Sequence, residues 1–214
     1  MRYWIIFIVL LLLLGNWALH HHAVDHLRWC LPTWPGVAVP DEPIQADMQP
    51  GEQDVWQYKG CTFTALAHYD IKGRVLHRML YFPSSTDMMA SVCPIDLGLG
   101  WGHMSDSAVY GKMEIGQVSR HLAWQQGMFA TDLPIPEREI ELHISNNHLI
   151  PADPDINARL HTYGYGDIVH LVGYLVAISN PGWSGSVRSS LTRTDVGDGA
   201  CEVMWVSQAE RIGR

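Results

Sequence analysis

The stretch Gly166-Asp167-Ile168-Val169-His170-Leu171-Val172-Gly173-Tyr174-Leu175-Val176-Ala177-Ile178 decides the fold. Gly-Asp reads as a turn, and the residues after it form one long strand rich in β-branched side chains. Gly173 in mid-run marks a bulge or a sharp bend, which a sheet needs when it curls on itself. Downstream, Asn180-Pro181-Gly182 turns the chain into a second strand over Trp183–Thr192, and Asp195–Gly199 turns it into a third over Cys201–Val206. Upstream, Ala152-Asp153-Pro154-Asp155 carries cap chemistry for a short helix through Leu160.

The rest of the folded part agrees with a β-rich reading. Val55–Tyr58 alternates, Thr62–Leu66 continues in extended form, and Lys72–Tyr81 places Val75, His77, Met79 and Tyr81 on one face. Cys93-Pro94-Ile95-Asp96 reads as the start of a helical turn with proline at its first position. Leu97-Gly98-Leu99-Gly100-Trp101-Gly102 reads as a glycine-rich loop. Tyr110–Val118 and Arg120–Gln125 form a candidate hairpin, and Ile135-Pro136 followed by Glu137, Glu139 and Glu141 a short helix. A short helix, a bent strand, a hairpin and a closing strand make an order similar to the later half of OB-fold domains of the anticodon-binding-like kind. The expected class is mainly β with short helices, an OB-like or related partly open β-barrel.

Ahead of it, Tyr3–Leu19 reads YWIIFIVLLLLLGNWAL without a charge. At 1.5 Å per residue such a helix spans roughly 25 Å, just enough for a bilayer core. Arg2 before it and Trp17 near its far end favour an inside N-terminus. A cleaved signal peptide is the rival, although Trp17-Ala18-Leu19 and His20-His21-His22-Ala23 offer no good cleavage site. Lipidation of Cys30 is disfavoured because Leu27-Arg28-Trp29 supplies no small residue before it. Residues 1–22 are therefore expected to be a single transmembrane or signal-anchor segment, and residues 23–53, with prolines at 32, 35, 40, 43 and 50, a spacer. Residues 54–214 form a β-rich domain outside the cytoplasm.

Lys and Arg number 14 against 22 Asp and Glu, a formal charge of −8, so a general polyanion binder is disfavoured. The 12 histidines make the charge sensitive between about pH 7 and pH 5. Cys30, Cys61, Cys93 and Cys201 contain no CxxC pair, which leaves disulfides, or buried small side chains, open. The one metal-type spacing, His103-x-x-Asp106, is a single pair and weak evidence for a metal, and the sequence leaves any cofactor open. Three adjacent imidazoles at His20–His22 share no helix face and read as a tether.

Catalytic candidates are Cys93, at an apparent helix start with His103 or His148 as base, and Ser145 with His148 in His143–His148. On a helix His143 and Asn147 would share a face. A blander account makes this run a set of loop-fastening hydrogen bonds. Ligand-binding candidates are Trp101, in the glycine-rich stretch, and Arg188 and Arg193 near the penultimate strand, where Arg193 and Asp195 can also simply pair.

Four strings, GWGHMSD (Gly100–Asp106), HISNNHLIPAD (His143–Asp153), GDIVHLVGYLV (Gly166–Val176) and SSLTRTDVGDGACEVMWV (Ser189–Val206), resemble an uncharacterised family of bacterial membrane-anchored proteins. That resemblance covers roughly Trp56 to Val206 and implies a bacterial source and a shared fold, but no site residues. The resulting expectation is a binding or assembly module of the bacterial envelope, single-pass in the inner membrane and in contact with another envelope protein. A hydrolase using the Ser145/His148 or Cys93/His103 region is the second reading, and nucleotide or oligonucleotide binding by an OB-like barrel the third.

Overall fold

A computed structural model describes residues 33–52, 54–83, 87–128, 130–192, 194–195 and 201–214. The expected membrane segment and Arg193 lie outside these residues. No described helix is long and apolar enough to cross a membrane.

The chain from Trp34 onward folds as one compact unit, mainly β with a large sheet and few helices. Its strands are β1 (Ile44–Asp47), β2 (Val55–Tyr58), β3 (Cys61–Leu80), β4 (Ile95–Gly100), β5 (Met113–Val118), β6 (His121–Gln126), β7 (Ile144–Pro151), β8 (Ile168–Ser179), β9 (Ser186–Arg188) and β10 (Glu202–Gly213). The helices are α1 (Ser107–Tyr110), α2 (Glu137–Leu142) and α3 (Pro154–Leu160), with a 3₁₀ turn at Gly102–Ser105.

Pairing starts from β3, a strand of 20 residues that joins both expected extended segments into one. It pairs antiparallel with β8 over Thr62–Arg74 and with β4 over Arg74–Leu80. β4 pairs with β7, β7 runs parallel to β10, and β10 pairs with β8, so the pairings return to β3. The main core fills one face of these five strands with Tyr69, Ile71, Leu97, Leu99, Leu149, Leu171, Leu175, Met204 and Val206. Ile156 and Leu160 of α3 pack into the same core, after Asp153 caps the helix by accepting from the Ile156 N–H at 2.8 Å.

Gly173 lets the backbones of β8 and β10 approach closely. A Cβ there would collide with the Trp205 carbonyl of β10. The bulge itself falls in the partner strands, at Val206/Gln208 of β10 and at Ala65/Ala67 of β3.

Several expectations need correction. Residues 95–100 are a strand, not a helical turn and glycine loop, and every one of them is buried. The glycines serve packing: a Cβ on Gly98 would stand 2.8 Å from Leu122 Cδ1, and one on Gly100 2.6 Å from the Met104 carbonyl. The polar run 144–151 is also a strand, which removes the helical His143–Asn147 pairing. The second strand of the C-terminal third shrinks to Ser186–Arg188. Within the expected spacer, the proline-free window Ile44–Asp47 pairs with Asp70–Ala67 of β3, and Val39 is buried in the main core. The β5–β6 hairpin, α2 and α3 occur where the sequence put them.

Gly173→Ala is expected to cost at least about 2 kcal/mol, since overpacking against backbone has nowhere to relax. Urea denaturation measures it, and an unchanged midpoint would contradict the close approach of β8 and β10.

Candidate functional site

Asp96 and His148 face each other across the β4–β7 ladder. Alternation then puts Asn146 beside His148 on β7, on the face opposite the main core. β10 runs parallel to β7 with Val203 beside His148, which brings Cys201, just before the strand, to the same neighbourhood. The β5–β6 hairpin lies over this face. Its turn residues Ser119 and Arg120 have φ of 49° and 66°, a left-handed pair without glycine. Such a turn matches the twist of a two-residue hairpin but strains non-glycine residues, and it aims Arg120 inward.

Arg120 is the hub. Its Nη1 donates to Asp96 Oδ1 at 2.9 Å, and Nε and Nη2 reach Asp87 Oδ2 at 2.9 and 2.8 Å. Nη2 also donates to the Cys93 carbonyl at 3.1 Å, and the guanidinium lies 3.5 Å from the centre of the Tyr81 ring. Burial opposes its charge, but Cys93, Asp96 and Asp87 together still raise its pKa.

The other carboxylate oxygen of Asp96 accepts from Gln117 Nε2 at 2.9 Å and stands 2.9 Å from His148 Nδ1. The His148 contact is a charge contact rather than an aligned hydrogen bond, because Nδ1 has no partner of hydrogen-bond geometry. Gln117 Nε2 also donates to Asn146 Oδ1 at 2.9 Å, while Tyr81 donates to Gln117 Oε1 at 3.0 Å. Asn146 Nδ2 donates to the Arg120 carbonyl at 2.5 Å and to Cys201 Sγ at 3.5 Å.

Burial works against a charge on His148, yet the neighbouring Asp96 and Cys201 outweigh it and push its pKa up to about 9. For Cys93 the balance is opposite. Burial and then Asp96 push its thiol well above its ordinary range, against a smaller pull from Arg120. Tyr81 is also raised, by burial first and then by Asp96.

Among the expected site residues, the structure brings together Cys93 and His148 only. Cys93 opens no helix, so the expected dipole activation does not occur, and its thiol is fully buried. Ser145 and His148 lie on opposite faces of β7, and the Ser145 hydroxyl accepts from Asn147 Nδ2 at 2.8 Å instead. That separation removes the Ser145/His148 pair. His103 is exposed on the 3₁₀ turn with its ring 6.2 Å from that of His143, which removes the Cys93/His103 pair. Trp101 is 1% exposed within the main core and offers no stacking surface. Arg188 is exposed on the short β9.

Sequence reading missed Gln117 and Arg120. Asp96, Asn146 and Cys201 sit in strings singled out earlier, but none was read as part of a charge network with Arg120. Cys61, Cys93 and Cys201 are free thiols, so among the described residues no disulfide exists.

Cys93, Asp96 and His148 also place one ligand atom each within 4.8 Å of the others, a set that can hold a metal ion. The chemistry disfavours it. The Arg120 guanidinium already fills the cationic place beside Asp96 and Cys93, and a metal needs a thiolate where burial favours the thiol. Comparison with protein-family models, curated proteins and solved structures gives no match, so the site is read from its own chemistry.

Two outcomes follow. Since the folded pKa of His148 lies near 9 and its ordinary value at 6.5, its stabilisation is full below about pH 6.5 and is lost as pH rises through about 9. Denaturation midpoints should therefore fall across that window, and His148→Gln should flatten the slope. A wild-type slope retained in His148→Gln would contradict this. Arg120→Met, which leaves two carboxylates without their cation, is expected to cost about 3–5 kcal/mol, with partial recovery in the Arg120→Met/Asp96→Asn double variant.

Proposed function

We propose that the chain is a membrane-tethered binding module of the bacterial envelope, built on an OB-like barrel. The five-strand circuit supports the barrel reading. Its order β3-β4-β7-β10-β8, with β7 and β10 parallel and a helix between β7 and β8, is that of a five-stranded Greek-key barrel whose β3 closes on both sides. The apolar run Tyr3–Leu19 supports the tether, and residues 3–19 would hold the chain in the inner membrane with the barrel outside the cytoplasm.

The observation that carries the binding reading is an aromatic cluster on the outer face of β2, β3, β8 and β10. Trp205 packs edge-on against Trp56, Tyr58 and Phe63 with ring centres 5.1, 5.1 and 5.3 Å away, and Tyr174 lies 6.1 Å from Trp56. Phe63 is buried, but Trp56, Tyr58, Tyr174 and Trp205 are each partly open to solvent. Large, stiff aromatics in such a half-open cluster suit a protein contact, where they lose little entropy on binding.

The oligonucleotide reading is weaker on the same geometry. OB domains commonly use the face of their second and third strands. Here the corresponding face of β4 and β7 carries Asp96, Asn146 and His148, and the chain's own hairpin and Arg120 already occupy it. The formal charge of −8 works in the same direction.

A photo-crosslinking residue at Trp205 in the full-length chain, expressed in bacterial membranes, should give a discrete protein adduct. The same residue at exposed Glu114 on β5 should not. Equal labelling at both positions, or none at Trp205, would contradict the reading. A reporter active only in the cytosol, fused after Arg214, should stay silent.

A further inference from the structure

We propose that the end of the fold carrying Arg78, Arg159, Arg211 and Arg214 docks on anionic phospholipid headgroups. The inference rests on the tether reading and deepens it, because it assigns which side of the domain faces the bilayer. β3, α3 and the end of β10 bring the four arginines to the segment His161–Asp167. Arg78 donates from Nη1 to the His161 and Tyr163 carbonyls at 3.1 and 2.9 Å. Arg211 donates from Nη2 to the Thr162 carbonyl, and its guanidinium stands 5.7 Å from the centre of the Tyr163 ring. Arg211 Nε and Arg214 Nε reach the two oxygens of Asp167 at 3.0 and 2.9 Å. Arg159 donates from Nη1 to the Ala209 carbonyl at 3.4 Å.

These bonds position the guanidiniums without using them up. Each guanidinium carries N–H donors on three nitrogens. Among the described residues Arg78 and Arg159 donate only from Nη1, and Arg214 only from Nε. All four side chains are exposed, so the remaining planar edges can take phosphate oxygens two at a time. Asp167 is the acid already paired with them, while Glu210 sits across the ladder from His170 and Asp155 one turn ahead of Arg159. Positive charge is in local excess there, on a chain of formal charge −8. Ile212, 45% exposed between Arg211 and Arg214, adds an apolar side chain. A cationic rim around an apolar tip suits the headgroup boundary better than it suits nucleic acid.

Two further features set the direction. The compact unit starts at Trp34, whose ring lies against the same segment: a Cβ on Gly166 would stand 2.4 Å from Trp34 Cζ3. The chain that follows Tyr3–Leu19 therefore enters the domain at its arginine end, with residues 20–33 between. The strands then lead away from it. On β8 and β10 the arginine end and the aromatic cluster sit six residues apart, Ile168 to Tyr174 and Arg211 to Trp205, which is roughly 20 Å at the rise of a strand. Docking through the arginines thus holds Trp56, Tyr58, Tyr174 and Trp205 off the lipid and open to a partner.

The test uses the full chain in vesicles of phosphatidylcholine alone or mixed with phosphatidylglycerol, with a photo-crosslinking residue in place of Ile212 or of Trp205. Lipid adducts are expected from the Ile212 position in the anionic vesicles, at least about fivefold above phosphatidylcholine alone and falling as salt rises. None is expected from the Trp205 position. The triple variant Arg78→Gln, Arg159→Gln and Arg214→Gln, which leaves Arg211 to Asp167, should lose the adducts by a similar factor. Lipid and salt dependence are read with all four arginines in place, so they decide the matter even if that variant does not fold. Adducts that ignore lipid charge, a protein adduct at Ile212 instead of a lipid one, or preference for dissolved nucleic acid over vesicles would overturn the proposal. Flotation after a high-salt wash reads the tether separately. A chain that stays on the vesicles without an Ile212 adduct contradicts the docking alone. One that washes off but returns to anionic vesicles at low salt contradicts the tether alone, and one that neither stays nor returns contradicts both.

Discussion

A carboxylate with no solvent exposure needs a cation, and Asp96 sets that requirement for one whole side of this fold. Arg120 meets it from the tip of the β5–β6 hairpin, at the cost of two left-handed residues that are not glycine. Gln117 from the same hairpin takes the second oxygen, and His148 faces it from the neighbouring strand. The hairpin is thus held at its tip by polar contacts to Asp96, Asn146, Asp87 and Cys93, and along its strands by Met113, Ile115 and Leu122 packed in one apolar cluster with Leu76, Met104 and Ile140. Partly satisfied networks of this kind destabilise, whereas fully satisfied ones select a single arrangement.

The opposite face follows a simpler logic. Apolar side chains from five strands and α3 meet in one core, the long β3 pairs with β8 and then with β4, and Gly173 of β8 lets β10 come close. Burial on both faces explains why β4 and β7 show no solvent-facing alternation. One face packs on the core and the other lies under the hairpin.

How much of this could be read in advance depended on which physical signal each segment carries. β8 announces itself by β-branched content, α3 by its Asp153 cap, and the hairpin by alternation. β4 does not, because glycines 98 and 100 look like loop residues until Leu122 and Met104 are seen to need their space. β7 misleads for a related reason: Ser145, Asn146, Asn147 and His148 are polar, and partners of this run sit on β4, on β5 and its turn into β6, and just before β10, far away in the chain. Trp101 beside those glycines turned out to be a core residue, and Ser145 lost its histidine to the two-residue period of a strand. Cys201 carried no local sign of its β7 neighbour, since Asn146 lies 55 positions away in the chain and only the parallel pairing of β7 with β10 closes that gap.

The account rests on a buried carboxylate holding an imidazole in its charged form. Nitrogen-15 NMR of the His148 ring in the folded chain reports that state directly. The shifts of a doubly protonated ring at neutral pH, changing only near pH 9, are what the structure predicts. Shifts of a neutral imidazole at pH 7 would contradict it.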